Sequence, residues 1–163
     1  MLSLEAKIGQ ILMFGFKGTS VTPHMEEFIV KQNLGGVIHF SRNVQNPKQL
    51  AELNQELQGL AKRSPSGSEL LISIDQEGGT VARLTTGVTV LPSAMAFGAT
   101  DNVELTEKAC EIAGLELRAT GINMNLAPVV DVNNNPLNPV IGVRAFGEDP
   151  ESVAKLGAAA IRG

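Results

Sequence analysis

The sequence predicts an α/β fold in which short parallel strands alternate with helices. Four short apolar runs lie along the chain at 11–16, 37–40, 70–74 and 122–130, and amphipathic stretches follow them. These runs lack a strict alternation of apolar and polar residues, which is typical of strands that are covered on both faces. Strands that alternate with helices form βαβ units with right-handed crossovers, and therefore a parallel sheet.

Three of the predicted helices share one start signal, a capping residue followed by proline. The signal occurs at Thr22-Pro23, Asn46-Pro47 and Asp149-Pro150. Threonine, asparagine and aspartate side chains accept hydrogen bonds from the first free amides of a helix, and proline suits its first turn. The second of these helices also carries an apolar stripe at helical spacing, formed by Leu50, Leu53, Leu57 and Leu60.

The third strand, 70–74, runs directly into Asp75. A long glycine-containing loop follows, and the next helix is expected over about 101–120 because Gly121 is a natural residue to end it. We place the fourth strand within 122–130. After it, a loop rich in proline and asparagine leads to the last helix, which runs to the end of the chain.

Two architectures satisfy this order of elements, an open doubly wound sheet and a (β/α)8 barrel. The open sheet usually carries a glycine-rich phosphate loop after its first strand. Residues 15–18, Gly-Phe-Lys-Gly, match neither of the known glycine fingerprints. The order of elements alone leaves the choice between the two architectures open.

Composition indicates a mildly acidic chain that forms one domain, 1–163. Of the 163 residues 43% are hydrophobic, which is enough for a buried core. With 13 Lys and Arg against 17 Asp and Glu and no basic block, the net charge is −4, so we expect neither nucleic acid nor an anionic membrane as a partner. The single cysteine, Cys110, excludes an internal disulfide, and its apolar neighbours predict an inert, packed thiol.

The ends and the apolar runs give a prediction of compartment. No stretch approaches the roughly 20 apolar residues that span a bilayer. Residues 1–5 lack the basic start and the apolar run of a secretory signal. We therefore expect a cytoplasmic protein, with a secreted or lipid-anchored parent as the alternative, since a removed leader would leave no trace in the sequence.

Three polar segments stand where predicted strands give way to loops, which is the ligand-binding side of a parallel α/β fold. They are 35–43, 75–84, and 123–132 with its continuation 138–150. The second reads Asp-Gln-Glu-Gly-Gly, with an arginine eight residues after the aspartate. The third continues into Asn-Pro-Val-Ile-Gly-Val-Arg-Ala-Phe-Gly-Glu-Asp-Pro.

In this order and spacing the segments resemble those of family 3 glycoside hydrolases, in particular the bacterial β-N-acetylglucosaminidases that trim cell-wall fragments. The resemblance extends from the opening helix, 4–10, to the last residues. It implies the (β/α)8 barrel, represented here by the first four of its eight strand–helix units. It also implies a small carbohydrate as the substrate, a two-step retaining hydrolysis, and no metal or organic cofactor.

The resemblance further implies three substrate-binding residues, Asp75, Arg83 and Arg144, which would hold the nonreducing sugar. A carboxylate accepts hydrogen bonds from neighbouring hydroxyls, and a guanidinium offers five fixed donors around a sugar ring. The structural alternatives are a helix or loop cap for Asp75 and ion pairs with Glu77 or Asp131 for the two arginines. The arginines can serve both purposes.

Other polar residues are interpreted as scaffold. Glu77 and Asp131 are expected to satisfy loop amides or an arginine. His39, near the end of the second strand, is expected to be packed rather than catalytic, and His24 to face solvent. No group of histidines, cysteines or carboxylates has the spacing of metal ligands.

The resemblance places the reacting groups of the family outside these 163 residues. Retaining glycosidases need a carboxylate nucleophile and a proton donor about 5–5.5 Å apart. In the family the nucleophile is an aspartate late in the barrel, and a His–Asp pair after the fifth strand is the acid/base. We therefore expect no catalytic residue in this chain and no turnover by it alone. We also expect two exposed sheet edges, through which copies could associate.

Three alternatives stay open at this stage. One is a family 3 β-glucosidase or another exo-glycosidase, because the first half of the barrel holds the shared hydroxyl-binding residues. Another is a non-catalytic carbohydrate-binding or structural half-barrel. A nucleotide-binding open sheet is the third, and the missing phosphate loop speaks against it.

Overall fold

The computed structural model describes residues 1–163, in which strands and helices alternate along the chain. The elements are α1 (Leu4–Gln10), β1 (Met13–Gly15), α2 (Pro23–Val30), β2 (Gly36–His39), α3 (Pro47–Ala61), β3 (Leu71–Ile74), α4 (Ala94–Thr100), α5 (Val103–Ala119), β4 (Met124–Asn125) and α6 (Pro150–Arg162). Two short 3-10 turns lie at Ser41–Asn43 and Gly142–Arg144. None of the helices combines the length and the apolar character that a membrane crossing requires.

The four strands form one parallel sheet in the order β1-β2-β3-β4. The predicted parallel α/β fold is therefore confirmed. The spatial order equals the chain order, as in a (β/α)8 barrel, whereas a doubly wound sheet reverses its strand order at a switch point. The edge strands of this sheet are β1 and β4.

Residue contacts divide the chain into two compact units. The sheet unit comprises 1–74 and 117–125 and contains all four strands. The loop unit comprises 75–116 and 126–163 and contains the segments that follow β3 and β4 in the chain, together with α4 and α6.

The core of the sheet unit forms where the sequence places its apolar residues. The predicted leucine stripe of α3 is buried. Strands β2 and β3 contribute Val37, Ile72 and Ile74, all fully buried. The predicted cap of α3 is present, because the side chain of Asn46 accepts a hydrogen bond from the amide of Gln49 at 2.9 Å.

His39 is a fully buried histidine in this unit. Its Nε2 lies 2.6 Å from Oδ1 of Asn54, and Nδ2 of Asn54 donates to the carbonyl of Thr120 at 2.8 Å. The ring of His39 also packs edge-on against Phe16. The prediction of a packed histidine is confirmed, and so is the exposure of His24.

A second core lies inside the loop unit. Phe97, Phe146, Val153 and Leu156 form a buried cluster that joins α4, the segment before α6, and α6 itself. Helix α6 begins as predicted, because the carboxylate of Asp149 accepts a hydrogen bond from the amide of Ser152 at 2.8 Å.

The structure corrects three element boundaries. Strand β1 is shorter than 11–16, because the amide of Ile11 bonds back to α1 and ends that helix. Strand β4 covers only Met124–Asn125 within the predicted 122–130, and Pro128 lacks the amide that a longer ladder would need. Helix α4 lies where the sequence predicted a loop.

Candidate functional site

The candidate site begins with a tight turn directly after β3. The amides of Glu77 and Gly78 both donate to the carbonyl of Val81, at 2.9 and 3.1 Å. Gly78 has a φ of +95°, and a Cβ there would lie 2.6 Å from the carbonyl oxygen of Pro92. Only glycine fits this position without strain. The turn reverses the chain, so that the segment after it lies beside the segment before it.

Gln76 fixes the returning segment. Its side-chain oxygen accepts hydrogen bonds from the amides of Arg83 and Leu84, at 2.9 and 3.1 Å, and its nitrogen donates to the carbonyl of Leu84 at 2.7 Å. Gln76 is buried, and Leu84 is fully buried. The side chain of Gln76 therefore satisfies backbone groups of Arg83 and Leu84, as a neighbouring strand would, and places the Arg83 backbone next to Asp75.

Asp75 and Arg83 form the first ion pair of the site. Nη2 of Arg83 donates to Oδ2 of Asp75 at 2.8 Å, and the two side chains are 26% and 21% exposed. Both groups are therefore partly screened from water and still reachable. The ion pair engages Oδ2 of Asp75, and the carboxylate keeps the capacity to accept a further hydrogen bond at Oδ1.

Arg144 and Glu77 form the second ion pair, and this one is bidentate. Nε and Nη2 of Arg144 donate to the two carboxylate oxygens of Glu77, at 2.8 and 2.7 Å. The Glu77 side chain is 9% exposed and the Arg144 side chain 25%. Nη1 of Arg144 also donates to the carbonyl of Val140 at 3.3 Å. The structural alternative weighed for Arg144, an ion pair with Glu77, is thus present.

Arg144 interacts electrostatically with the carboxylates of both ion pairs. Its hydrogen bonds to the Glu77 carboxylate are the main cause that raises the pKa of Arg144, and the negative charges of Glu77, Asp131 and Asp75 raise it further. The loop unit therefore brings together all five charged groups that sequence reasoning singled out around this site. Their role in binding a sugar stays a prediction.

The segment that carries Arg144 is anchored on both sides. The next two residues, Ala145 and Phe146, are buried. Before it, the side chain of Asn138 accepts hydrogen bonds from the amides of Val140 and Ile141, at 2.9 and 3.1 Å. The guanidinium consequently extends from a short 3-10 turn whose backbone is held in place.

The balance of charge in the cluster favours a neutral ligand. Asp75, Glu77 and Asp131 contribute three carboxylates, and Arg83 and Arg144 contribute two guanidinium groups. An excess of negative charge repels phosphates and other anions. Hydroxyl groups, which both donate and accept hydrogen bonds, suit a mixture of carboxylates and guanidinium groups.

The chain shows neither an activated cysteine nucleophile nor a group of metal ligands. Burial raises the pKa of the Cys110 thiol, which opposes formation of a nucleophilic thiolate. No three histidines, cysteines, aspartates or glutamates are grouped so that they could hold a metal ion. A polar, uncharged molecule is the kind of ligand that the hydrogen-bonding groups around Asp75 would suit.

Sequence reasoning missed two contributors to this site. Gln76 was passed over because its partners are backbone groups, which a sequence pattern does not reveal. Helix α4 was missed as well. The signal for Gln76 was its place between two acidic residues of the motif, since an alternating strand end sends the middle side chain to the opposite, buried side.

Comparisons with known proteins place the chain in a family. Over residues 3–163 the chain matches the family described as glycosyl hydrolase family 3 N terminal domain. It is 45% identical over 149 residues to the β-hexosaminidase A of Pseudoalteromonas piscicida, a match that covers 88% of this chain and 25% of that relative.

Two solved structures are similar over nearly the whole chain. A family 3 β-N-acetylglucosaminidase from Paenibacillus sp. str. FPU-7 superimposes with a TM-score of 0.96 at 51% identity, covering 99% of this chain and 31% of that one. NagZ from Neisseria gonorrhoeae, in complex with N-trifluoroacetyl-D-glucosamine, gives a TM-score of 0.80 at 30% identity, covering 93% and 45%. The predicted resemblance and barrel-type fold are confirmed. The chain spans less than half the length of these relatives.

Proposed function

The chain belongs to glycosyl hydrolase family 3, and on that premise we propose that it carries the nonreducing-end sugar site of a retaining β-N-acetylhexosaminidase. The observation that carries the proposal is that the Asp75–Arg83 and Glu77–Arg144 ion pairs lie in one unit, near enough for the charge of Asp75 to act on Arg144. The activities named for the relatives above, and the N-trifluoroacetyl-D-glucosamine bound by NagZ, support N-acetylglucosamine as the sugar.

The chemistry of the proposed site follows from its unused hydrogen-bonding groups. Oδ1 of Asp75 accepts from a sugar hydroxyl, while the guanidinium of Arg144 donates to a hydroxyl oxygen of the same ring. Hydrogen bonds to charged groups contribute about 1.5–3 kcal/mol each. Arg83 keeps the Asp75 carboxylate in place through its hydrogen bond to Oδ2.

We assign binding and orientation to this chain, and not the cleavage of the glycosidic bond. Retention requires a carboxylate nucleophile and a separate proton donor about 5–5.5 Å away. Asp75 and Glu77 are each engaged by an arginine, and we assign neither of them a reacting role. In the proposed enzyme the nucleophile and the acid/base come from other parts of the protein, where the family resemblance places them.

A side-by-side assay tests the proposal. The complete gene product and the 163-residue chain are incubated with a chromogenic β-N-acetylglucosaminide and with the matching β-glucoside. The complete product is expected to hydrolyse the N-acetylglucosaminide, the chain alone neither substrate, and Asp75→Ala to abolish turnover. Glu148→Ala, at an exposed position in the same unit, is the control.

Three outcomes would overturn the assignment. Turnover by the chain alone would show that the reacting groups lie within it. Preference for the glucoside would move the protein to the β-glucosidase branch. Full activity of Asp75→Ala would remove the sugar-binding role from that carboxylate.

We also propose that copies of this chain associate through the edges of the sheet, since β1 and β4 each present one unpaired side. Sedimentation of a single monomeric species at concentrations of the chain used for the assay would refute this. A cytoplasmic location remains a prediction from the sequence, and cell fractionation tests it.

A further inference from the structure

We propose that Glu77 is a positioning residue, which orients Arg144 so that the guanidinium presents its two remaining donors to the sugar. The proposal rests on the proposed function and adds a residue to it. Glu77 itself contacts no ligand in this account, because both of its carboxylate oxygens are engaged by Arg144.

A count of hydrogen-bond donors supports the role. Arginine has five N–H groups. In this chain three of them are used, two by Glu77 and one by the carbonyl of Val140. The two that remain are one on Nη1 and one on Nη2. Both lie in the plane of one guanidinium, and each can donate to a hydroxyl oxygen of a sugar.

The bidentate contact fixes this plane from both sides. Glu77 is held at its backbone by the hydrogen bond from its amide to Val81, and its side chain is only 9% exposed. Arg144 is followed by the buried Ala145. With both backbones held, two parallel N–H···O bonds set the rotation of the guanidinium as well as its distance.

Glu77 also keeps Arg144 away from a competing partner. The charges of Asp75 and Asp131 already act on Arg144. Without Glu77, the guanidinium would be attracted to the open oxygen of Asp75, which is the acceptor needed for the sugar. The pair is only partly buried, and we assign its effect chiefly to geometry.

Affinity for N-acetyl-D-glucosamine, measured by calorimetry on the complete gene product, tests the role. Glu77→Gln loses one acceptor and places an amide donor against the guanidinium, and we expect affinity to fall about tenfold. Glu77→Asp keeps the charge and withdraws the carboxylate by one methylene, and we expect a smaller loss in the same direction. Glu148→Gln, at an exposed position, should bind as the unmodified protein does.

A double-mutant cycle separates positioning from general support of the fold. If Glu77 acts through Arg144, Glu77→Gln should cost less than about twofold in affinity once Arg144→Ala is present. The same tenfold loss in both backgrounds would overturn the proposal and leave Glu77 as a structural residue. Unchanged affinity of Glu77→Gln alone would overturn it too.

A spectroscopic readout that needs no ligand completes the test. The Nε–H resonance of Arg144 in a 15N spectrum should be protected from exchange in the unmodified protein and lost in Glu77→Ala, which removes both acceptor oxygens. Persistence of the signal would overturn the proposal. The unmodified protein could bind no sugar while the Nε–H signal behaves as expected. In that case Glu77 does orient Arg144, but the proposed sugar-binding function is wrong, and the orienting role for the sugar is lost with it.

Discussion

The side chain of Gln76 makes two hydrogen bonds to the backbone of Leu84, one as acceptor and one as donor. The amide of Leu84 donates to Oε1 of Gln76 at 3.1 Å, and Nε2 of Gln76 donates to the carbonyl of Leu84 at 2.7 Å. Together with the turn at Gly78, this contact sets the position of Arg83 relative to Asp75. Backbone geometry here depends on one buried amide.

Removal of that amide should loosen the site and lower stability. Gln76→Ala leaves the amide of Leu84 and its carbonyl without their partner in a buried place, and each unsatisfied group costs about 1–3 kcal/mol. Urea unfolding followed by circular dichroism measures the change. Gln55→Ala, at an exposed position of α3, is the matched control and should leave the unfolding midpoint nearly unchanged. Equal midpoints for both variants would contradict the role given to Gln76.

Local signals in the sequence predicted most of the elements. The caps Thr22, Asn46 and Asp149 and the leucine stripe of α3 depend on residues within a few positions of each other, and all are present. Helix α4 gave no such signal, because Ala94–Thr100 is only seven residues long and contains glycine. Its formation depends on packing of Phe97 in the loop-unit core, which is a tertiary effect.

The sequence predicted which residues form the site better than it predicted which of them form ion pairs with each other. Asp75 and Arg83 lie within one motif, so their proximity follows from a short turn. The sequence offered both Glu77 and Asp131 as ion-pair partners of Arg144. Because 67 residues separate Arg144 from Glu77, the choice between them depends on the tertiary structure. Which N–H donors of Arg144 remain for a ligand depends on the pairing with Glu77, so the motif alone could not predict them.

Replacement of Arg144 by lysine should weaken substrate binding although the charge is kept. Lysine has a single ammonium group and forms neither the bidentate contact to Glu77 nor a planar pair of donors for the sugar. We expect kcat/KM of the complete gene product on a chromogenic β-N-acetylglucosaminide to fall between about tenfold and a hundredfold. Arg118→Lys, at an exposed position in the last turn of α5, is the control for the conservative change. A loss of less than twofold would show that the charge of Arg144 suffices.

Gly98 should resist any side chain, because α4 lies directly on the segment that carries Arg144. A Cβ at Gly98 would lie 1.7 Å from the carbonyl oxygen of Phe146, which must therefore move. Gly98→Ala is expected to lower the free energy of unfolding by about 1–3 kcal/mol and to weaken sugar affinity as Arg144 shifts. Gly59→Ala is the matched control, since nothing lies within 4 Å of a Cβ there, and in a helix interior it should stabilise by about 0.5–1 kcal/mol. Similar unfolding free energies for the two variants would contradict this packing.

Stability should decrease in acid because of His39. Burial is the main cause that lowers the pKa of His39, and the hydrogen bond to Asn54 opposes it only in part. Because Nδ2 of Asn54 donates to Thr120, its Oδ1 is the acceptor, and His39 is neutral with the proton on Nε2. Nδ1 is buried without a partner, so a second proton there would be a buried, unpaired charge.

The sign of the effect follows from the lowered pKa. An unfolded histidine binds its proton near pH 6.5, while the folded one binds it only at lower pH. The contribution to stability is therefore present in full above about pH 6.5 and is lost as the pH falls through the folded pKa. Urea unfolding between pH 8 and pH 5 should show this decline, and His39→Gln, which keeps an N–H donor for Asn54 and does not titrate, should reduce it. An equal slope in both proteins would mean that other groups cause the acid sensitivity.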